Sequence, residues 1–453
     1  MKKRAIGVLS TGALAVAAAL ATSYHIGQRI QQEFESTAQA WSTSDGFSVR
    51  VLNYQRGITS AQATSLWSFA TEEERYEIPV IHHIVHGPWP WGKAAKISSQ
   101  FQLPNHSEPQ LLQALKKRAP LEWVMTADWQ GATEHHLTSP NFAVEFEDAS
   151  SLMWGGLNAQ WDLSAQRDKA KGAIHMPAVR IKVEDGNQTE WEDTELTFDA
   201  RIPEGHSFWE GPAHLKIGLL AIQEPETATD FRLQQLQIES NTQLQDQLVQ
   251  MRMHSHLGKL ETPGYNARNV VLNMRMNNIH VNWFDQLVQQ LQRSTQEEEL
   301  APSLWDELPT LLSGKPELAI EQLDIETDEG TARLAANLQY VGTAQEALDP
   351  ATDLLFRLQA NLPKPMLRHI LETKVRGDYL GLLEQLGQEV DETTLRTAVE
   401  DGVNKRLKGL LDLGAVQDKE GQYAAELVLE QGEFKLNGQP TELQSLMQLG
   451  GAI

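Results

Sequence analysis

Residues 157–163 (LNAQWDL) and 196–202 (LTFDARI) decide the fold of this chain, because their apolar and polar side chains alternate one by one. Every odd-numbered residue of the first segment is apolar, and so is every even-numbered residue of the second. Successive side chains of a β-strand point to opposite faces, so this period of two predicts strands with one dry and one wet face. Antiparallel sheets commonly have this arrangement.

The same alternation recurs from about Phe47 to Trp283 and predicts at least ten strands, with one short helix over Ser107–Arg118. Near the end of this region the alternation shifts by one residue, as a β-bulge would cause. The apolar residues before the shift are Val249, Met251, Met253, Leu272, Met274 and Met276, and those after it are Ile279, Val281 and Trp283. We interpret the four methionines as core residues, with a lipid-contacting surface as the alternative.

After Trp283 the apolar period becomes helical. The pattern first predicts a helix with Phe284, Leu287, Val288 and Leu291 on one face, a helical stretch from Pro302 to Gly314, and a hairpin with arms 318–325 and 332–340. It then predicts helices over 349–416, broken at Pro363–Pro365 and Gly377, with a buried stripe of Leu395, Val399, Val403 and Leu407. A hairpin over 423–436 and a terminal helix from Thr441 to Leu449, with Pro440 at its start, end the chain. The expected class is α+β, mostly antiparallel sheet, with a helical C-terminal portion flanked by β-hairpins. We place its regions at 1–29, 30–283 and 284–453.

The N-terminus carries a basic cluster, Lys2-Lys3-Arg4, followed by twenty uncharged residues from Ala5 to Tyr24. A helix of that length matches the roughly 30 Å hydrocarbon core of a bilayer. The segment therefore predicts a single transmembrane signal anchor with a cytoplasmic N-terminus and the remaining chain translocated. The alternative is a secretory signal cleaved after Ala21, which would leave a soluble exported protein.

Composition excludes several classes of function. The chain has no cysteine, so disulfides, thiol catalysis and thiolate metal sites are ruled out. Its formal net charge of -23 disfavours nucleic acid as a partner and also disfavours peripheral binding to an acidic bilayer. A length of 453 residues predicts two lobes or one large β-rich body, because single cores stop growing beyond about 250–300 residues.

Five short segments occur in one characteristic order: Gly27-Gln28-Arg29-Ile30, Tyr54-Gln55-Arg56-Gly57, His86-Gly87-Pro88-Trp89-Pro90, Leu308-Pro309 through Pro316 and Ile320, and Leu436-Asn437-Gly438. In these segments the chain resembles the YdgA-like family of bacterial envelope proteins, a family without an assigned biochemical activity. The resemblance implies a tether in the inner membrane and a bulk in the periplasm of a Gram-negative cell. It supplies no catalytic residues. The structural or docking candidates are Tyr54, Arg56, Gly57, His86, Gly87, Pro88, Trp89, Pro90, Asn437 and Gly438.

The most metal-like cluster is His82, His83 and His86. On a strand, His82 and His86 would share a face about 13 Å apart, with His83 on the opposite face. One strand cannot converge such ligands on one ion, so a metal site would need His135 or His136 from another strand. We expect ordinary strand histidines, with metal binding and pH sensing as alternatives.

Three further features are predicted to be structural. Residues 324–330 resemble the start of a calcium loop, but Glu329 and Ala335 stand where a glycine and an acid belong, so a hairpin turn is expected. The segment Gly87–Gly92 predicts a rigid aromatic plug over the end of a sheet, with a docking surface for a partner or the bilayer interface as the alternative. Arg56-Gly57 predicts a turn or bulge whose arginine pairs with a buried carboxylate.

The sequence carries none of the familiar catalytic motifs, such as G-x-S-x-G, H-E-x-x-H, a phosphate loop or G-x-G-x-x-G. We therefore expect a non-catalytic binding or envelope-organising protein without a cofactor. Its expected partners are the inner membrane and an envelope protein or a second copy of the chain. The alternatives are a lipid-handling protein with an apolar sheet groove and an envelope hydrolase.

Overall fold

The computed structural model describes residues 23–39, 47–70, 75–87, 92–104, 107–225, 229–293, 307–343, 348–385 and 391–442. The chain divides into two compact units. The first comprises Met1–Arg201 and Ala213–Thr229, and the second comprises Ile202–Pro212 and Asp230–Ile453.

The first unit is built on an antiparallel sheet. Its strands are β1 (Phe47–Arg56), β2 (Ser60–Ala70), β3 (Arg75–His86), β4 (Ala95–Phe101), β5 (Glu122–Ala127), β6 (Thr133–Ser139), β7 (Phe142–Glu145), β8 (Ser151–Trp154), β9 (Leu157–Leu163), β10 (Lys169–Lys182), β11 (Gln188–Arg201) and β12 (Gly211–Glu224). Neighbours pair in the order β1-β2-β3-β4-β5-β6-β9-β10-β11-β12, and the β7–β8 hairpin joins through a β8–β10 pairing. The predicted alternation is seen on β11, where Leu196, Phe198 and Ala200 are half-buried and Thr197 and Asp199 are exposed.

Two helices accompany this sheet: α1 (residues 23–39) and the short α2 (Pro109–Leu115), which confirms the helix predicted near residue 110. Helix α1 covers a small core of buried Ala61, Ala63, Ile84 and Ile97 with its Ile30 and Phe34. Burial of apolar surface, at roughly 25 cal/mol per Å², is the main force that attaches such a helix to a sheet. A register shift between Val51 and Asn53 marks a bulge in β1.

The second unit contains a second antiparallel series: β13 (Thr229–Gln245), β14 (Leu248–Thr262), β15 (Tyr265–His280), β16 (Glu317–Thr327), β17 (Gly330–Tyr340), β18 (Leu354–Pro363), β19 (Gln417–Lys419), β20 (Gln422–Glu430), β21 (Glu433–Leu436) and β22 (Gln439–Pro440). Its pairing order is β13-β14-β15-β16-β17-β18-β20-β21-β22, with β19 beside β20. The two predicted hairpins and the turn over residues 328–329 are confirmed.

The helices of the second unit are α3 (Val281–Arg293), α4 (Leu308–Ser313), α5 (Pro350–Asp353), α6 (Lys364–Gln385) and α7 (Glu392–Asp412). Helices α6 and α7 pack together through buried Leu371, Val375 and Val403, and the predicted stripe on α7 contributes to this core. The amphipathic helix predicted after Trp283 is confirmed as α3. Its methionine neighbours on β14 and β15 are half-buried.

The structure corrects three details of the predicted pattern. Val281 and Trp283 belong to α3, because β15 ends at His280. Residues 354–363 form a strand, in keeping with an alternation of apolar and polar side chains that competes with the helical pattern. Helix α6 starts directly after Pro363 and continues through Gly377, since one interior glycine costs only about 1 kcal/mol and the packed face of the helix offsets it.

Several predictions fall outside the described residues. They are most of the segment Ala5–Tyr24, the start of the helical stretch at Pro302, Pro88–Trp91 and the terminal helix to Leu449. Pro440, predicted to start that last helix, lies in β22. Within the described part of the chain, no helix is long and apolar enough to cross a membrane.

Candidate functional site

Helix α1 presents a stripe of small and apolar residues to the first sheet. Ser23, Gly27 and Ala38 are buried, and Ile30 and Phe34 between them are partly buried. These positions are separated by three or four residues, which places them on one face of a helix. The helix therefore docks along its length.

The first turns of this helix enclose the imidazole of His86, which is fully buried. The Ser23 hydroxyl donates to the His86 carbonyl at 3.2 Å and lies 3.5 Å from its Nδ1. A β-carbon built on Gly27 would lie 2.6 Å from Cε1 and 2.7 Å from Nε2 of the ring. Only glycine leaves room for this close approach. Burial lowers the pKa of His86, so the ring is neutral near pH 7.

Arg56 contacts the same end of the helix. Its Nη2 donates to the Tyr24 hydroxyl at 3.1 Å, and its guanidinium carbon lies 4.7 Å from the centre of the Tyr24 ring. Among the described residues no carboxylate pairs with Arg56, contrary to the prediction, and a cation–π contact with an adjacent hydrogen bond is present instead. The predicted turn is confirmed, because the Gly57 amide donates to the Ser60 carbonyl at 2.8 Å. We call Ser23, Tyr24, Gly27, Arg56 and His86 the helix clasp.

Further along the helix, Phe34 packs edge-on against His82 at 4.9 Å between ring centres and contacts Tyr54 at 5.9 Å. Tyr54 is part of the same small core, and burial raises the pKa of its phenol to about 12. His82 and His86 share the buried face of β3 while His83 is exposed, as predicted.

Both ring nitrogens of His82 are occupied by hydroxyl groups. Nε2 lies 2.8 Å from Ser65 Oγ and Nδ1 lies 2.8 Å from Ser99 Oγ, and all three residues are buried. Burial lowers the pKa of His82 to about 4. Trp67 Nε1 also donates to Ser65 Oγ at 3.0 Å. A serine beside a histidine resembles a nucleophile and its base, but Phe34 of helix α1 lies against this histidine.

His135, one of the two expected metal recruits, is engaged elsewhere. Its ring stacks on Trp161 at 4.8 Å, and its Nδ1 accepts from Trp123 Nε1 at 3.2 Å. Burial lowers its pKa to about 4. His135 aligns with Ile84 across the intervening strands, and β4 and β5 separate it from His82. The geometry therefore does not join these histidines in one site.

Another histidine cluster lies in the second unit. Asp285 of α3 accepts from the Ser207 amide at 2.8 Å, from the Ser207 hydroxyl at 2.9 Å and from His206 Nδ1 at 2.5 Å. Although burial opposes ionisation, these hydrogen bonds hold the pKa of Asp285 below its usual range. The serine hydroxyl donates to the aspartate, whereas a catalytic triad needs it on the histidine. This cluster attaches the segment before β12 to α3.

Asn437 and Gly438, the C-terminal candidates, have a structural role in the second unit. The Asn437 side chain accepts from the Glu426 amide at 2.8 Å and donates to the Gly414 carbonyl at 2.6 Å. It thereby ties the β20–β21 hairpin to the end of α7. Both residues have positive φ values, 50° and 79°, which asparagine and glycine tolerate best.

The ten candidates therefore separate into groups. Tyr54, Arg56, His86 and Gly87 contact helix α1, and Gly57 forms the turn after β1 with Ser60. Asn437 and Gly438 have a structural role in the second unit, and Pro88, Trp89 and Pro90 lie outside the described residues. Sequence reasoning missed Ser23 and Phe34 as contacts of this helix. The three- and four-residue spacing from Ser23 to Ala38 is the signal that could have found them.

Two other polar groupings are exposed. His175, Asp193 and Glu195 form the group of potential ligands found among the described residues, and it lies at the surface of β10 and β11. An open depression of about 610 Å³ is lined by Asp148, Ser150, Val183, Glu184 and Asp185, in the turns after β7 and β10. Asp148 and Asp185 each accept a backbone hydrogen bond within their own turns.

Comparison with known proteins gives one family. The family model described as a bacterial protein of unknown function, DUF945, matches residues 1–444. No curated protein and no solved structure matches the chain.

Proposed function

Because the chain belongs to DUF945, a bacterial protein family of unknown function, we propose its role from its own residues. The protein is a membrane-tethered envelope protein with a non-catalytic binding or organising role. Its N-terminal segment holds it in the inner membrane, and its two β-rich units lie in the periplasm. The resemblance to YdgA-like proteins supports this setting.

The observation that carries the proposal is the helix clasp. Motifs that are distant in sequence, around Gly27, Arg56 and His86, meet at the start of helix α1. The described part of helix α1 begins at Ser23, within the last two residues of the apolar segment Ala5–Tyr24. Residues that would otherwise suggest a site are used to attach this helix to the sheet. We infer that their function is to mount the sheet on its tether in a fixed orientation.

A topology experiment tests the tether. Full-length protein carrying a C-terminal alkaline phosphatase should be active in the periplasm and resist extraction of the membranes by carbonate. A mature protein that begins at Thr22 and is released with the soluble periplasmic fraction would refute the anchor.

A crosslinking experiment tests the binding role. Photoreactive amino acids at exposed positions of both units should capture a reproducible set of envelope proteins in living cells. Capture of the protein itself alone would contradict a scaffold for other proteins and would favour self-association.

Lipid handling is a second candidate, and the half-buried apolar face of the first sheet favours it. On this face Trp161 and Phe198 lie on either side of Gly172, whose built β-carbon would lie 2.6 Å and 2.8 Å from them. Leu196 pairs with Ile174 and Leu215 on the same face. These side chains are half-buried. They could accept an acyl chain at modest cost.

Position-specific photocrosslinking tests this candidate in the intact chain. A photoreactive residue in place of Phe198 should capture phospholipid in cells, whereas one in place of Thr197, on the opposite and exposed face, should not. Equal capture at both positions, or none at position 198, refutes the lipid-handling role.

A further inference from the structure

One end of the first sheet collects three turns beside the start of helix α1. The His86 amide donates to the Thr59 carbonyl at 3.0 Å. The Gly87 amide donates to the Ala94 carbonyl at 2.7 Å, and the Ala94 amide donates to the Ala127 carbonyl at 2.8 Å. These bonds align the turn after β1, the end of β3 and the turn after β5. We call this end, with turns 57–59, 128–132 and 164–168, the turn edge.

The entry of helix α1 is part of the turn edge. A β-carbon built on Gly87 would lie 2.7 Å from Cη2 of Trp129 and 3.1 Å from Cδ1 of Ile26. The indole from the turn after β5 and the side chain from the first turn of the helix therefore pack against the same glycine. The chain enters the first unit at this end of the sheet.

Large apolar side chains are exposed around this entry point. Tyr24 is 50 % exposed, Ile58 is 54 % exposed and Trp129 is 53 % exposed. Exposed large apolar side chains also occur at the opposite end, at Tyr76, Leu112 and Ile181, so the argument depends on the position of these three beside the start of the described helix. Tyr and Trp are the residues preferred at the boundary between membrane and water.

Charge does not separate the two ends of this sheet. Arg56, Arg167 and Lys169 lie at the turn edge together with Asp128 and Asp168. The opposite end carries exposed acids at Glu147, Asp148, Glu184 and Asp185, and exposed bases at Arg75, Lys116, Lys117 and Arg118. The position of the tether therefore decides which end faces the bilayer.

We propose that the turn edge rests on the lipid headgroups of the bilayer that the N-terminal segment enters, with Tyr24, Ile58 and Trp129 in the interface. This inference rests on the tether of the proposed function. The chain before the described residues ends at Thr22, and its apolar run from Ala5 is long enough to span about 30 Å as a helix. Because Tyr24 contacts Arg56 of the turn edge, a chain that leaves the membrane at Tyr24 brings this edge to the surface.

The absence of cysteine from the chain allows one introduced cysteine to report one position. Ile58→Cys and Trp129→Cys place a nitroxide label on the turn edge. Val183→Cys, at a residue that is 40 % exposed, places it at the opposite end of the sheet as a matched control. Full-length protein is reconstituted in vesicles of phosphatidylethanolamine and phosphatidylglycerol. The collision rates of each label with oxygen, which concentrates in lipid, and with a water-soluble nickel chelate are then measured.

We expect the oxygen-to-nickel ratio to be severalfold higher at positions 58 and 129 than at position 183. Equal ratios at the three positions overturn the proposal. Shielding of position 58 from both reagents also overturns it, because a protein then covers the edge. Flotation of the vesicles separates the two failures. Protein that floats and gives equal ratios is tethered, but its turn edge does not rest on the bilayer. Protein that does not float refutes both the tether and the contact of the turn edge with the bilayer.

Discussion

Replacing Gly27 by alanine tests whether helix α1 is held against His86. The new β-carbon would lie 2.6 Å from Cε1 of a ring that is fully buried and cannot swing away. Forcing one extra carbon into such a contact costs about 1–3 kcal/mol. Alanine also improves the helix by about 1 kcal/mol. The free energy of docking helix α1 onto the sheet should therefore become less favourable by between zero and about 2 kcal/mol.

Gly377→Ala in helix α6 is the matched control. Gly377 also lies within a helix, and its built β-carbon would meet no atom within 4 Å. This substitution should stabilise helix α6 by about 1 kcal/mol, the difference in helix propensity between glycine and alanine, without any steric cost. The difference between the two variants therefore isolates the contact with His86 at about 1–3 kcal/mol.

Hydrogen exchange of the backbone amides of residues 30–39 is the appropriate assay, because helix α1 can detach while the sheet remains folded. Relative to the control's effect on α6, the Gly27→Ala change should speed this exchange by about 5- to 150-fold, the equivalent of 1–3 kcal/mol. In the background of His86→Ala, the same change should lose its cost, because the ring is gone. If Gly27→Ala protects α1 as well as Gly377→Ala protects α6, the clasp does not exist as described.

Three further predictions concern stability. His82 has a pKa of about 4 when folded and about 6.5 when unfolded, so the unfolded state binds more protons in this window and stability should fall as the pH drops from 6.5 to 4, by on the order of 3 kcal/mol from this group. His82→Gln should remove this part of the pH dependence of the urea midpoints, and the part due to His135, whose pKa is also about 4, should remain. Asn437→Ala removes the acceptor for the Glu426 amide and places alanine at a φ of 50°, so thermal unfolding of the second unit should show a loss of about 2 kcal/mol, whereas an unchanged transition would refute the bracing role. Gly172→Ala would bring a β-carbon to 2.6 Å from the Gln160 carbonyl oxygen and should lower the free energy of unfolding of the first unit. This loss should exceed the loss that Gly264→Ala causes in the second unit, where the only strain comes from a φ of 84° and the space around the glycine is open.

Local periodicity accounts for most of the fold that could be predicted. On β3 and β11 the buried and exposed side chains follow the alternation in the sequence, since each strand has one covered face. The hairpins of the second unit follow for the same reason, with turn residues between two alternating arms. The secondary structure of residues 354–363 was harder to predict, because their apolar side chains fit a strand and a helix alike. Only the pairing with β17 and β20 selects the strand.

The candidate site was harder to predict than the fold. The motif residues Gly27, Arg56 and His86 could be identified, but not their contacts. Arg56 lies 32 positions from Tyr24 along the chain, and His86 lies 63 positions from Ser23. Sequence proximity supplies no partner over such distances. The expected carboxylate beside Arg56 was a reasonable choice on charge alone, and an aromatic ring replaced it.

The amino-acid order alone specifies antiparallel strands, their dry and wet faces, and the spaced stripe of helix α1. These properties depend on neighbouring residues and on the geometry of one element. The tertiary structure decides that helix α1 lies on the buried face of β3, that Gly27 meets the ring of His86, and that Tyr24, Ile58 and Trp129 share one edge. These relations depend on strand register and on the close packing of side chains from separate elements, which no local pattern encodes.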